Sequence, residues 1–206
     1  MSRTAFKKDR VTNDGYQTPV SAIEPLLSYI DFTKVKSFYE PCAGDGNILE
    51  SVLRPMYFAD HNCKDSFSEI TTGSDYFKDD VVGRFNGKVD LIVTNPPFSQ
   101  AIQFLQKSLL EANTVIYLLR LNFLAAKSRK EFFEQHKPDY IFVLSKRPCF
   151  VWVCSTKGCS RKYPVDYKER CVCGGRVKPG TDATEYAWFV WDKAGVIKAD
   201  HWLNII

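Results

Sequence analysis

The run "VDLIVTN", Val89 to Asn95, is apolar at nearly every position, as expected of a strand covered on both faces, and a chain that contains one must supply the cover. The next segment, "SQAIQFLQKSLLEA", has helical spacing at Ile102, Leu105, Leu109 and Leu110. The alternation continues with "TVIYLLR" as strand, "KSRKEFFEQH" as helix, "YIFVLS" as strand and "EYAWFVWDK" as a last, aromatic-rich strand. Ahead of it, "TPVSAIEPLLSYI" reads as a helix with Thr18 as its cap and Pro19 at its first position. "KSFYEP" and "MYFAD" read as short strands separated by the turn "CAGDG" and a helix "NILESVL", with a third short strand near "SEITT". Strand and helix in such alternation predict an α/β sandwich with a mainly parallel sheet.

With 206 residues, 45% of them hydrophobic, the chain suits a single domain, 1–206, around one sizeable core. No apolar run has the length of a membrane span, and "MSRTAFKKDR" lacks the apolar stretch of a signal peptide, so a cytoplasmic location is expected. The net charge of +4 permits a nucleic-acid partner without requiring one. His61, His136 and His201 show no ligand-like spacing, and Trp188 and Trp191 alternate with apolar neighbours as core residues do.

In a parallel α/β sheet, ligands bind at the carboxyl ends of the strands, which is where Asn95-Pro96-Pro97-Phe98 falls. Two successive prolines hold Asn95 and the Pro96 carbonyl in a stiff extended shape with acceptors aimed outward. Such a pair suits an exocyclic amino group: acceptors on its two N–H groups draw them out of the ring plane and localise the nitrogen lone pair toward an electrophile. Phe98 then offers a flat face to a base rotated out of its duplex. A strand-ending turn with a buried Phe is the plainer alternative.

"FYEPCAGDGNILE" places Glu40 at a strand end, then Gly44 and Gly46 in a tight turn before a helix. The turn lacks G-x-G-x-x-G and a P-loop lysine, so it suits a cofactor with a nucleoside and a small zwitterion rather than a pyrophosphate. Asp60 and Asp75 follow the next expected strands. The first is placed to accept ribose hydroxyls and the second an adenine amino group.

Of seven cysteines, four lie close together: Cys154-x4-Cys159, eleven residues, then Cys171-x-Cys173 followed by Gly174 and Gly175. In a cytoplasmic chain, two closely spaced pairs read as a four-thiolate zinc site, and the segment 151–178 as an inserted zinc ribbon; reduced loop cysteines or a redox pair are the alternatives. Its exposed basic residues, Lys157, Arg161, Lys162, Lys168, Arg170, Arg176 and Lys178, suit contact with phosphates. Cys42, Cys63 and Cys149 read as packing residues.

Together these residues resemble the class I, S-adenosylmethionine-dependent amino-methyltransferases, most closely the phage-type DNA adenine N6 methyltransferases. "DGYQTP" is similar to the family's N-terminal cofactor motif, "EPCAGDG" to its methionine-binding loop, "TNPPF" to its catalytic motif and "TDATEYAWFVWDK" to its late strand. The resemblance implies a seven-stranded, Rossmann-like methyltransferase sheet with its final strand antiparallel, and the motif order of the gamma group. It also implies that Tyr16, Thr18 and Pro19 line the methionine end of S-adenosylmethionine, that Glu40, Ala43 and Gly44 meet its carboxylate and amino end, that Asp60 meets the ribose, and that Asp75 and Tyr76 meet the adenine. Asn95, Pro96, Pro97 and Phe98 are implied to hold the target base in DNA. Many members carry Tyr at the position of Phe98, and glutamine methyltransferases carry a similar tetrapeptide. The alternatives are therefore methylation of RNA adenine or of a protein glutamine, or a non-catalytic nucleic-acid-binding ribbon protein on this scaffold.

Overall fold

The computed structural model describes residues 17–59, 76–163, 168–180 and 184–206. Along these run α1 (Val20–Leu27), β1 (Phe38–Tyr39), α2 (Asn47–Ala59), α3 (Val81–Arg84), β2 (Val89–Thr94), α4 (Ala101–Glu111), β3 (Ala112–Arg120) and α5 (Lys130–Gln135). There follow β4 (Tyr140–Val143), β5 (Trp152–Cys154), β6 (Lys162–Tyr163), β7 (Val177–Pro179), β8 (Tyr186–Asp192) and β9 (Leu203–Ile205). No helix among the described residues is long and apolar enough to cross a membrane.

Six strands form one sheet in the order β1, β2, β3, β8, β4, β9. β1, β2 and β3 are parallel, β8 runs antiparallel to both β3 and β4, and β9 is parallel to β4. This is the expected mainly parallel sheet, with the late strand "YAWFVWD" reversed as the resemblance implies. Successive side chains of a strand point to opposite faces, and β2 uses both. Leu91 and Val93 enter a layer with Ile23 and Leu26 of α1 and Val52 and Met56 of α2. Ile92 enters the opposite layer with Phe104 and Leu105 of α4. Trp188 is fully buried with its indole N–H on the Ala22 carbonyl at 2.8 Å, and Trp191 is buried with its N–H on the His136 carbonyl at 3.0 Å, so both are core residues as expected.

The structure corrects the sequence-based elements in four places. Pro19, not Thr18, is the N-cap of α1, and the helix begins at Val20. "MYFA" is not a strand: it is the last turn of α2, whose buried residues Ile48, Val52 and Met56 recur every fourth position. The helix passes through Pro55, giving up one backbone hydrogen bond rather than ending there. On α4 the buried face is centred on Phe104, Leu105 and Ser108 rather than on Leu110, which is 72% exposed. β9 lies beyond the strands expected from the sequence. The expected strand "SEITT" and residues His61 and Cys63 lie outside the described residues.

The cysteine-rich segment forms its own three-stranded antiparallel sheet, with β5 between β6 and β7. Its interior holds Cys154, Cys171 and Val177, with Trp152, Cys159 and Tyr163 packed against them. So little apolar surface cannot order a segment of this length unaided.

Candidate active site

The registers of β1 and β2 bring the two strand-end motifs side by side. Tyr39 pairs with Ile92, so Glu40 lies level with Val93, two residues before Asn95. Both motifs therefore leave the sheet at the same edge. The Thr94 hydroxyl faces the Cys42 thiol across this junction, and burial pushes that thiol up to about 12. Cys42 is packing, as expected.

After Glu40 the chain turns through Gly44 at φ +54° and Gly46 at φ +85°, conformations in which a side chain is strained. Gly46 N–H closes on the Ala43 carbonyl at 2.8 Å, and α2 starts at the next residue. Asn47 then donates its side-chain amide to the Thr18 carbonyl at 2.9 Å, pinning the N-terminal motif against the turn. A narrow cleft results, bounded by Gln17 and Thr18 on one side and Glu40, Ala43, Gly44 and Asp45 on the other. The structure thus gathers Thr18, Glu40, Ala43 and Gly44 around one cleft. Gln17 and Asn47 join them; the sequence signal for Asn47 was its place at the first helical position after the glycine turn.

Glu40 is the unusual group here. It is 4% exposed, and neither carboxylate oxygen has a hydrogen-bonded partner among the described residues. Burial raises its pKa from 4.5 to about 8; the Leu49 backbone N–H, short of hydrogen-bonding geometry, favours the charged form less than burial opposes it. A buried acid without a donor is costly to keep unless a ligand supplies one. An ammonium group in the cleft would do so, and the residues present therefore fit the amino end of an amino-acid cofactor.

Tyr76 sits elsewhere. It is 1% exposed in the α4 layer, with its hydroxyl on Glu111 at 2.6 Å and Ser108 at 2.9 Å and its ring 5.1 Å from that of Phe104. It is not among the residues that line the cleft around Glu40. Pro19 is buried at the head of α1. Tyr16, Asp60 and Asp75 lie outside the described residues, and Asp60 follows the last turn of α2 rather than a strand.

In the tetrapeptide, Pro96 is buried while Asn95, Pro97 and Phe98 are half-buried. Phe98 packs against both core layers, and the Arg120 guanidinium carbon lies 4.6 Å from its ring centroid. The Tyr186 ring is 6.1 Å away, and Tyr186 accepts a hydrogen bond from Arg120 Nε at 3.3 Å. Arg120 and Tyr186 were not singled out in the sequence. The available signal was a lone cation closing the apolar run "TVIYLLR".

In the inserted sheet, the sulfurs of Cys154, Cys159, Cys171 and Cys173 all lie within 4.8 Å of one another. Cys154 to Cys173 is 3.4 Å, Cys159 to Cys171 is 3.7 Å and Cys171 to Cys173 is 3.2 Å. These are far beyond the roughly 2 Å of a disulfide and close to the about 3.8 Å that zinc–sulfur bonds of about 2.3 Å give across a tetrahedron. The Thr156 N–H points at Cys154 Sγ at 3.4 Å, and the Tyr163 hydroxyl, then the Cys173 amide, hold Cys171 down to about 5. At Gly175 a Cβ would stand 2.8 Å from Cys154 Sγ and 2.0 Å from Thr156 Oγ1, so only glycine permits the backbone to pass so near the cluster.

No family model matches the chain, and no curated protein does. Among solved structures, it is similar to a Pyrococcus horikoshii protein provisionally described as an RNA methyltransferase. The TM-score is 0.43 at 14% identity, over 91% of this chain and 92% of that one. It is also similar to a Listeria monocytogenes protein provisionally described as a class I S-adenosylmethionine-dependent methyltransferase, with a TM-score of 0.46 at 11% identity, over 97% and 67%. The fold itself is α/β, with a mainly parallel six-stranded sheet among the described residues and a small cysteine-clustered insertion.

Proposed function

We propose that this chain transfers a methyl group from S-adenosylmethionine to the N6 amino group of adenine in DNA. One observation carries this above the rest: a buried Glu40, with no hydrogen-bond donor among the described residues, leads into a glycine turn at the same sheet edge as Asn95-Pro96-Pro97-Phe98. When bound, S-adenosylmethionine supplies an electrophilic sulfonium methyl. Glu40 would take the cofactor's amino group, with Thr18, Ala43 and Gly44 forming the surrounding wall. Asn95 Oδ1 and the Pro96 carbonyl would accept the two N–H groups of the acceptor and leave its lone pair directed at the methyl, with Phe98 beneath the base. The nitrogen becomes acidic as its new bond forms, so its proton passes to water without a dedicated base.

A nucleic-acid acceptor is supported by the inserted sheet, whose seven basic residues named above are all exposed and suit contact with phosphates. Cys154, Cys159, Cys171 and Cys173 would hold a structural zinc that orders this sheet. The test is to incubate the protein with labelled S-adenosylmethionine and DNA, RNA or protein extract in parallel, then identify the methylated product by mass spectrometry. N6-methyladenine in DNA is expected. Label in RNA or at glutamine instead would transfer the function to that acceptor, and absence of label would remove the catalytic assignment.

A further inference from the structure

Phe98, the ring expected to carry the acceptor base, is not bare. It packs against both core layers, and a guanidinium already lies over it at 4.6 Å. That guanidinium is held on two sides, since Arg120 Nε donates to the hydroxyl of the fully buried Tyr186 and the two residues are paired across β3 and β8. Arg120 lies three residues past Tyr117, as Pro97 lies three past the Tyr117 partner Thr94, so it stands beside the tetrapeptide at the sheet edge. It is half-buried there.

Resting on the function proposed above, we infer that Arg120 is the acceptor platform: the base stacks on its guanidinium plane, and Phe98 and Tyr186 hold that plane in place. A guanidinium is flat and weakly hydrated, and bases stack on it as they do on aromatic rings. Its charge also sorts acceptors. A nucleotide brings an electron-rich ring and an adjacent phosphate, whereas a glutamine side chain brings neither, so Arg120 marks this edge for nucleic acid. A lysine in its place keeps the charge and loses the plane.

The test measures binding of a fluorescent single-stranded oligodeoxyadenosine of about 12 nucleotides by anisotropy, in the presence of S-adenosylhomocysteine and between roughly 50 and 200 mM salt. Arg120→Ala and Arg120→Lys are compared with the wild type, alongside thermal stabilisation by S-adenosylhomocysteine. Both variants are expected to bind the oligonucleotide about 10-fold more weakly, with Arg120→Lys keeping the wild-type salt slope and both keeping the cofactor's stabilisation. Equal or tighter binding by either variant would show that the base rests on Phe98 itself and overturn the inference. Loss of cofactor stabilisation in step with oligonucleotide binding would overturn it too, since Arg120 would then be a structural prop. Wild-type protein that is stabilised by the cofactor but ignores the oligonucleotide would instead defeat the nucleic-acid function on which the inference rests.

Discussion

Replacing Glu40 with Gln separates what the buried acid does for binding from what it does to stability. In the folded protein burial raises its pKa from 4.5 to about 8, while in the unfolded chain it stays near 4.5. The folded state therefore holds this proton more tightly. Its contribution to stability is fully present below pH 4.5 and is lost as the pH rises from 4.5 through about 8. Up to pH 7 the loss is about 3 kcal/mol, at about 1.4 kcal/mol per pH unit. Glu40→Gln removes that loss but leaves an amide short of partners, which returns about 1–3 kcal/mol. The variant without ligand should thus melt at the same temperature as the wild type or a few degrees higher at pH 8, and gain nothing at pH 5. Binding should move the other way. An ammonium needs the ionised acid, so wild-type affinity for S-adenosylmethionine should rise about 10-fold from pH 6 to pH 7, while the variant should bind roughly 10- to 100-fold more weakly at pH 8 and show no such slope. Isothermal titration calorimetry across this range measures both. Wild-type affinity that is flat in pH, or a variant that binds as tightly as the wild type, would refute the assignment of Glu40 to the cofactor's amino end.

Asn95→Ala should leave stabilisation by S-adenosylmethionine intact and lower turnover about 100- to 1,000-fold; methyl-transfer kinetics at saturating cofactor check this, and preserved turnover would remove Asn95 from the chemistry. Metal analysis should find one zinc per chain, lost in Cys171→Ser. Withdrawal of the metal should weaken oligonucleotide binding while leaving cofactor binding in place, because the cluster is confined to the inserted sheet; metal-free protein that binds the oligonucleotide normally would refute a structural zinc.

The parts of this structure that were legible in the sequence are those where local pattern and tertiary demand coincide. "VDLIVTN" reads as a doubly covered strand because so many consecutive apolar residues need cover on both faces, and the prolines after it end it at the carboxyl edge of the sheet. The four cysteines were legible because thiolate pairs at short spacing have few other uses. "MYFAD" misled because Pro55 looks like a stop signal, whereas the burial of Ile48, Val52 and Met56 outweighs one missing hydrogen bond. For Tyr76 the sequence offered only its place in a motif, whereas its hydroxyl partners Glu111 and Ser108 lie more than thirty residues away and were not legible. The setting of Arg120 was hidden for a similar reason, its place at the end of "TVIYLLR" being the one local signal. Its partner Tyr186 lies 66 residues along the chain, and only the register of β3 with β8 brings them together.

That same register explains where the insertion belongs. Because β8 is antiparallel to β4, the connection from the end of β4 to the start of β8 begins and finishes at one edge of the sheet. It is the edge from which Glu40, Asn95 and Arg120 project. Residues added to this connection disturb no strand pairing, and loops at such an edge are where a rigid scaffold carries its contacts. The cysteine-rich sheet is built there, and it is tied back to the site by a row of aromatic rings: Phe150 lies 5.0 Å from Tyr186, and Tyr186 lies 6.1 Å from Phe98. Tyr186 therefore belongs to both assemblies. It anchors the guanidinium over Phe98 and packs against the residue that leads into the basic sheet, so the insertion is coupled by direct ring contacts to the edge that carries Asn95 and Pro96.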